Sequence, residues 1–500
     1  MKKILFAFLG TLASLAVFSS CAERKAEAPK QAKYVFYFIT DGTGVNTILG
    51  HEMLQHELDH RPADGPSDGC WGRHCLTMTS LPVYGVSSTY SYDSGVTDSA
   101  ASGTALATGT KTRNGMVGQA PDSTDVPSIA VWAHEAGVPV GVASSVGINH
   151  ATPAAFYAHN PLRRNYYDIG TQIGASGFEF FGGSDIIDAA KPADKPSCYD
   201  LAREAGYTVV RGADAYRAEA ATADKMLLMQ RQEESDNPVN GPGALPYYMD
   251  AQPGQLTVID ILRAELDFLY NHKGGREKGF FIMNEIGGRV DQACHADDAA
   301  AAFREVAAVD SCVRIAYEFY LQHPDETLIV VTADHETGGL VLSRPNSYSH
   351  DLRLLAHQTA SKDVVNNELR ELRRQTGNKV TWEQAADVLR RHLGFWDTVQ
   401  LTDKEEQQLR DVYRDSFVGK QADLKGEYAW YQPLAQEAVR LLDLKAGITW
   451  TTGGHSAGLV PLIACGVGSE MFTGHNDNAE IPVKIAVAAG YQIPAALRMR

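Results

Sequence analysis

The stretch TLIVVTADHETGG (327–339) constrains the fold more than any other part of this chain. Its apolar residues follow one another instead of alternating with polar ones, the pattern of a strand covered on both faces. It ends in Asp334 and His335, with Gly338 and Gly339 just beyond. A buried strand thus delivers two ionisable side chains to its own C-terminal end. The design recurs in YVFYFIT (34–40), which runs into Asp41-Gly42-Thr43-Gly44. VPVGVASS (138–145), GYTVVR (206–211), GFFIM (279–283) and LVPLIACG (459–466) also read as buried strands.

Between these runs lie stretches with helical spacing of apolar residues, such as PSIAVWAHEAG, VIDILRAELDFLYNH and DDAAAAFREVAAVDSCVRIAYEFYLQH. The alternation predicts an α/β fold: a large central, mostly parallel sheet with helices on both faces. From about 345 to 444 the rhythm breaks into polar, charged segments of helical period, including NNELRELRRQTG and TWEQAADVLRRHLGFW. That region reads as a helical insertion, because strands resume after Ile448.

At the N-terminus, Lys2 and Lys3 precede an apolar stretch from Ile4 to Phe18, too short to span a bilayer, which predicts a signal peptide over 1–20. Cys21 directly follows Ser19-Ser20 and resembles a bacterial lipoprotein cleavage box. The expectation is an exported protein, in the periplasm or on the outer membrane, anchored by a lipid on Cys21; ordinary cleavage nearby is the alternative. Residues 21–33 read as a polar tether and 34–500 as one large domain. In an oxidising compartment Cys70, Cys75, Cys198, Cys294, Cys312 and Cys465 permit disulfides without choosing a pairing. Cys70 and Cys75 read as a local disulfide or two free thiols, since no second pair with zinc-ligand spacing follows them.

The net charge of −16, uninterrupted by a long basic run, argues against a nucleic-acid-binding surface. An acidic protein that handles an anion needs local positive charge, most simply from metal ions. Candidate ligands stand where strands end, the usual place for sites in α/β folds. They are Asp41, the adjacent Asp334 and His335, the set Glu285, Asp291 and His295 in NEIGGRVDQACHADD, and His455 in TTGGHSAG. Singly, each has a bland explanation as a helix cap or a satisfied histidine. Together, so many carboxylates at glycine-flanked strand ends would be costly without cations. Mixed Asp/His ligation suits zinc and an all-oxygen set suits magnesium. Ser99, ahead of the small-residue run AASGTALATG, would sit at a helix N-terminus, where exposed amides favour an anion.

The blocks TDGTG, VTDSAASGTALATGTKTRNG, HATPAAFYAH, GGRVDQACH, VTADHETGG and TTGGHSAG resemble the alkaline phosphatase family in content and order, from about Tyr34 to the C-terminus apart from the insertion. The resemblance implies a phosphomonoesterase with two Zn²⁺ and one Mg²⁺ per chain, acting on small phosphate monoesters through a phosphoserine at Ser99. It implies that Asp41 bridges the second zinc and the magnesium, with Asp334 and His335 completing the second zinc site. Asp291, His295 and His455 would hold the first zinc, and Thr152 would join Glu285 and Asp41 at magnesium. An arginine would clamp the substrate phosphate in bidentate fashion. A homodimer is common in the family.

Three positions depart from the family pattern. Glu285 lies one residue further than usual from Asp291, with Ile286 in the customary slot, and a bulge at the strand end would restore its reach. Gln292 follows the zinc aspartate where other members carry Lys or His, and its partner position is His150, so both are expected behind the ligands. Arg163 and Arg164 compete for the phosphate clamp: spacing from His150 favours Arg163, and the local RNYY pattern favours Arg164. His159 reads as a structural histidine.

Three rival readings remain. GHSAG (454–458) fits the nucleophile elbow of serine esterases, but an elbow needs a helix after Ser456, and LVPLIACG reads as a strand. A metal- or phosphate-binding lipoprotein would not need Ser99. Phosphodiesterase activity of the same superfamily is the nearest alternative.

Overall fold

The computed structural model describes residues 30–60, 76–239, 241–419 and 422–497. The signal peptide, Cys21, most of the tether, and Cys70 and Cys75 lie outside the described residues. Within them the chain forms fourteen strands, in order β1 (Tyr34–Ile39), β2 (Val83–Ser88), β3 (Val140–Ser144), β4 (Phe180–Gly183), β5 (Tyr207–Arg211), β6 (Lys225–Met229), β7 (Phe280–Glu285) and β8 (Thr327–Thr332). Then follow β9 (Glu336–Thr337), β10 (Leu424–Lys425), β11 (Trp430–Tyr431), β12 (His455–Ser456), β13 (Val460–Gly466) and β14 (Gly474–Asp477).

Ten of these strands make one sheet in the order β14-β2-β13-β8-β1-β7-β3-β4-β6-β5. The sheet is parallel except for β13, which runs antiparallel to both of its neighbours, β2 and β8. Apolar residues alternate between its faces, as a two-residue period requires. Tyr34, Phe36 and Phe38 of β1 enter one core with Ile282 and Ile329. Val35, Tyr37 and Ile39 enter the other with Phe281, Met283 and Val330. This two-sided burial is why the strands read as unbroken apolar runs.

The 345–444 region packs on the first of these cores through Val365, Leu369, Leu389, Leu409 and Leu434. It holds the helices Lys362–Gln375, Trp382–Leu393, Asp403–Tyr413 and Pro433–Ala446. It also holds a small β10–β11 hairpin, which its helical period does not announce. Buried Lys362 ties it to the main body: its backbone N–H donates to Asp298 Oδ2 at 2.7 Å, and its ammonium donates to the carbonyl of Ala296. Burial pulls that ammonium down to about 8, against the upward pull of Asp297 and Asp298. Cys198, Cys294, Cys312 and Cys465 are buried free thiols.

Candidate active site

Strand register builds the floor of the site. Ile39 of β1 pairs with Thr332 of β8 and with Glu285 of β7, so Asp41, Asp334 and Glu285 leave three adjacent strands at one level. His335 Nε2 lies 3.3 Å from Asp41 Oδ1 and 3.4 Å from Asp334 Oδ2. Gly42 adopts φ +69, and a Cβ there would come within 2.6 Å of the Asp291 Cα, so only glycine lets the two ligand loops approach.

A second set stands beside it. Asp291 and His295 are four residues apart on the helix Gly288–His295 and therefore share a face, with His295 Nε2 3.4 Å from Asp291 Oδ1. His455 comes from β12, which pairs with β9, and its Nε2 lies 3.1 Å from that of His295. Each ring contacts a backbone carbonyl through Nδ1, His295 at Gly453 and His455 at Thr97, both 2.8 Å, leaving Nε2 directed inward. The Thr337 hydroxyl donates to Asp291 Oδ1 at 2.6 Å.

Three groups of ligand-capable atoms result, each with atoms within 4.8 Å of one another: Asp291/His335/His455, Asp41/Asp334/His335 and Asp41/His150/Glu285. His150 thus faces Asp41 and Glu285 directly, where the sequence placed it behind the ligands. Thr152 Oγ1 donates to Asp334 Oδ2 at 3.3 Å. β7 stays in continuous register with both neighbours through Glu285, so the extra residue is absorbed in the turn at Ile286 and Gly287, not in a bulge.

The electrostatics are those of a site short of positive charge. Burial, then the nearby carboxylates Asp334, Asp291 and Glu285, push Asp41 well above the usual range. Burial raises Glu285 to about 7 and Asp334 to about 6. Asp291 goes the other way: burial would raise it, but His295, His335 and His455 hold it well below the usual range. Burial lowers His150 to about 3 and holds His335 neutral as well. Asp41 Oδ1, Glu285 Oε1 and His150 Nδ1 are buried and make no hydrogen bond. Orphaned acceptors beside costly carboxylates are what divalent cations satisfy, and the Asp/His/Glu donor set fits them.

Ser99 lies between the two sets. It begins the helix Ser99–Thr108, and its Oγ is 3.1 Å from His335 Nε2. Asp98 caps that helix, accepting from the Ala101 N–H, and its Oδ2 pairs with Arg163 at 3.1 Å. Arg163 and the exposed Arg164 both reach the cleft above Ser99, but Arg163 is the one braced by Asp98 and by His150 at 3.4 Å. Gln292 accepts from Arg289. His159 contacts the Gly118 carbonyl at 2.6 Å. Ser456 donates to Glu336, and β13, not a helix, follows it, so no nucleophile elbow forms.

A family model described as alkaline phosphatase matches residues 32–491. The chain belongs to the alkaline phosphatase family. Alkaline phosphatase 4 of Bacillus subtilis (strain 168) is 27% identical over 474 residues, covering 92% of this chain and 91% of that protein. The repressible alkaline phosphatase of Saccharomyces cerevisiae is 28% identical, covering 89% and 78%. Among solved structures, the cold-active alkaline phosphatase of a psychrophilic Shewanella sp. matches with a TM-score of 0.73 at 26% identity, covering 91% of this chain and 99% of that one. The Thermus thermophilus alkaline phosphatase matches with a TM-score of 0.72 at 25% identity, covering 97% of each.

Against that family frame, the residue sequence reasoning misses is Tyr428. Its hydroxyl donates to Asp291 Oδ2 at 3.0 Å, and its ring meets His295 edge-on at 5.2 Å. It lies inside a polar stretch of helical period, where no local pattern marks it. Thr337 was visible within TADHETGG, but only the fold brings it against Asp291.

Proposed function

We propose that this chain is an exported metal-dependent phosphomonoesterase that hydrolyses small phosphate monoesters through a phosphoserine at Ser99. The observation that carries the reading is the convergence of three ligand-capable groups around a serine at a helix N-terminus. Asp291, His295 and His455 would hold one zinc ion, and Asp41, Asp334 and His335 a second. Asp41 and Glu285, with Thr152 close by, would hold magnesium, and His150 would stand beside that site. Bound, these ions supply the positive charge that neutralises the carboxylates and acidifies the serine hydroxyl.

The chain's own groups do the rest. The first amides of the helix Ser99–Thr108 and the Arg163 guanidinium receive the phosphate oxygens. Asp98 fixes Arg163 in that orientation, so little ordering is left to do when substrate arrives. Ser99 Oγ, its proton passing to solvent, bonds to phosphorus as the bond to the alcohol oxygen breaks, and the departing alkoxide takes a proton from water. Water then attacks the phosphoserine, releasing phosphate and restoring Ser99. Burial keeps His335 neutral and therefore available as a ligand, and keeps His150 neutral, able to accept from Arg163.

Export, a lipid on Cys21 and a homodimer belong to the same proposal and rest on the N-terminal sequence and the family. No helix among the described residues is long and apolar enough to cross a membrane. The division into signal peptide, tether and a catalytic domain interrupted over 345–444 is part of it too.

The test is hydrolysis of p-nitrophenyl phosphate at alkaline pH, abolished by a chelator and restored by zinc with magnesium. Ser99→Ala is expected to retain its metals and lose turnover by on the order of a thousandfold or more, the scale seen when a nucleophile is removed. Full activity in that variant would sink the assignment.

A further inference from the structure

The cleft above Ser99 has a volume of about 670 Å³, and its wall includes Thr97, Arg163, His295, His455, Glu427 and Tyr428. The last two come from the tip of the β10–β11 hairpin, inside the 345–444 region. Ser99 is 0% exposed, directly after Thr97 and Asp98 of that lining. In-line displacement sends the departing alcohol away from Ser99 Oγ, outward toward the mouth of the cleft. Tyr428 lines the same cleft, with its ring 5.2 Å from that of His295.

Its position is fixed from both ends. The hydroxyl is anchored on Asp291, while 41% of the residue stays exposed and it lines the cleft. The hairpin base is held on the helix Lys362–Gln375: Asn366 bonds the Trp430 carbonyl at 3.2 Å, and Tyr431 donates to Asp363 at 3.1 Å. Tyr166 extends the aromatic lining on the other side of His150, its ring stacked on that imidazole at 6.5 Å. A ring tethered by its polar end, with His295 and His150 beside it and 41% of the residue still exposed, is suited to stack on a flat partner.

We infer that Tyr428 contacts the leaving group and biases the enzyme toward phosphate monoesters of aromatic alcohols over those of small aliphatic ones. The inference rests on the phosphomonoesterase reading above and goes further by naming the leaving-group class and the residue that selects it.

The test compares kcat/KM for phenyl phosphate with that for ethyl phosphate in the metal-loaded protein. Intrinsic reactivity cancels when the ratio of the two is compared across variants. Tyr428→Ala is expected to lower the aryl-to-alkyl ratio about three- to tenfold, the size of one aromatic contact. Tyr428→Phe keeps the ring and is expected to keep more than half of the ratio. Trp430→Ala, on the exposed side of the same hairpin, is expected to leave the ratio unchanged. Inorganic phosphate carries no leaving group and is expected to inhibit the Phe and Ala variants equally.

A ratio unmoved in Tyr428→Ala overturns the inference. So does an equal fall in Trp430→Ala, which would assign the effect to hairpin order. A fall in Tyr428→Phe as large as in Tyr428→Ala, or a difference between these two in phosphate inhibition, also overturns it, by tracing the effect to the bond with Asp291 or to phosphate binding. If the parent protein hydrolyses neither ester, the phosphomonoesterase reading itself fails.

Discussion

Asp41, Asp334 and Glu285 stand on the ends of three adjacent strands, whereas Asp291, His295 and His455 come from a helix and a two-residue ladder. The first set is positioned by backbone register alone and is 0–1% exposed. The second is assembled from elements far apart in sequence and is roofed by Tyr428 from the 345–444 region. Their charge balance differs accordingly. The inner carboxyls crowd one another beside His335 and His150, both held neutral, so burial pushes them up; Asp291 is ringed by imidazoles and is pulled down. The inner set is therefore expected to depend on cations, and the outer set on the surrounding chain.

The largest effects come from taking ligands out of each set. His335 belongs to two of the three ligand groups and touches Ser99, so His335→Ala is expected to lose bound metal and turnover together. His295→Ala is expected to keep metal in the inner set while kcat/KM falls by more than about 100-fold, beyond the usual range for groups that merely support a ligand. Metal content per chain decides the matter, and equal loss in both variants breaks the comparison.

Next in size is a pH effect. In the metal-free protein Glu285 titrates at about 7 and Asp334 at about 6, both raised by burial, so below those values the carboxyls hold protons that a cation must displace. His335 and His150, held neutral, add no such competition at mildly acidic pH. The sign follows: cation-induced stabilisation grows as pH rises through the range where Asp334, Glu285 and the still more strongly raised Asp41 lose their protons. Zinc with magnesium is expected to raise the melting temperature more at pH 8 than at pH 5.5, and an equal rise at both breaks the inner-set account.

Lys362→Met probes the outer set through its support. Losing the ammonium leaves the Ala296 carbonyl, one residue past His295, without its partner, at an expected cost of about 1–3 kcal/mol in thermal unfolding. Metal content of the inner set is expected to stay intact. The smallest effect belongs to Ser456→Ala, which removes a bond to Glu336 and is expected to keep turnover within about tenfold. A loss as deep as that of Ser99→Ala would return the nucleophile to GHSAG.

The inner set was legible because its signal is local. An apolar run that stops at Asp334-His335 states both the burial of the strand and the place where its ligands emerge. Strands β4 and β14 gave no such signal: FFGG is half glycine, and GHND is a polar edge strand. The β10–β11 hairpin was hidden in a helical period because it takes shape only where Asn366 and Asp363 receive it. Sequence cues split between Arg163 and Arg164, and in the fold Asp98 braces Arg163.

The amino-acid order by itself determined the α/β class, the strand-end positions of Asp41, Asp334 and His335, and the start of a helix at Ser99. Each of these follows from apolar periodicity and capping over a few neighbouring residues. Only the tertiary structure decided that β13 runs against its neighbours, that His150 faces Glu285, and that Tyr428 closes over Asp291. Those outcomes depend on packing between residues more than a hundred positions apart, and no local pattern of hydrophobicity encodes such a meeting.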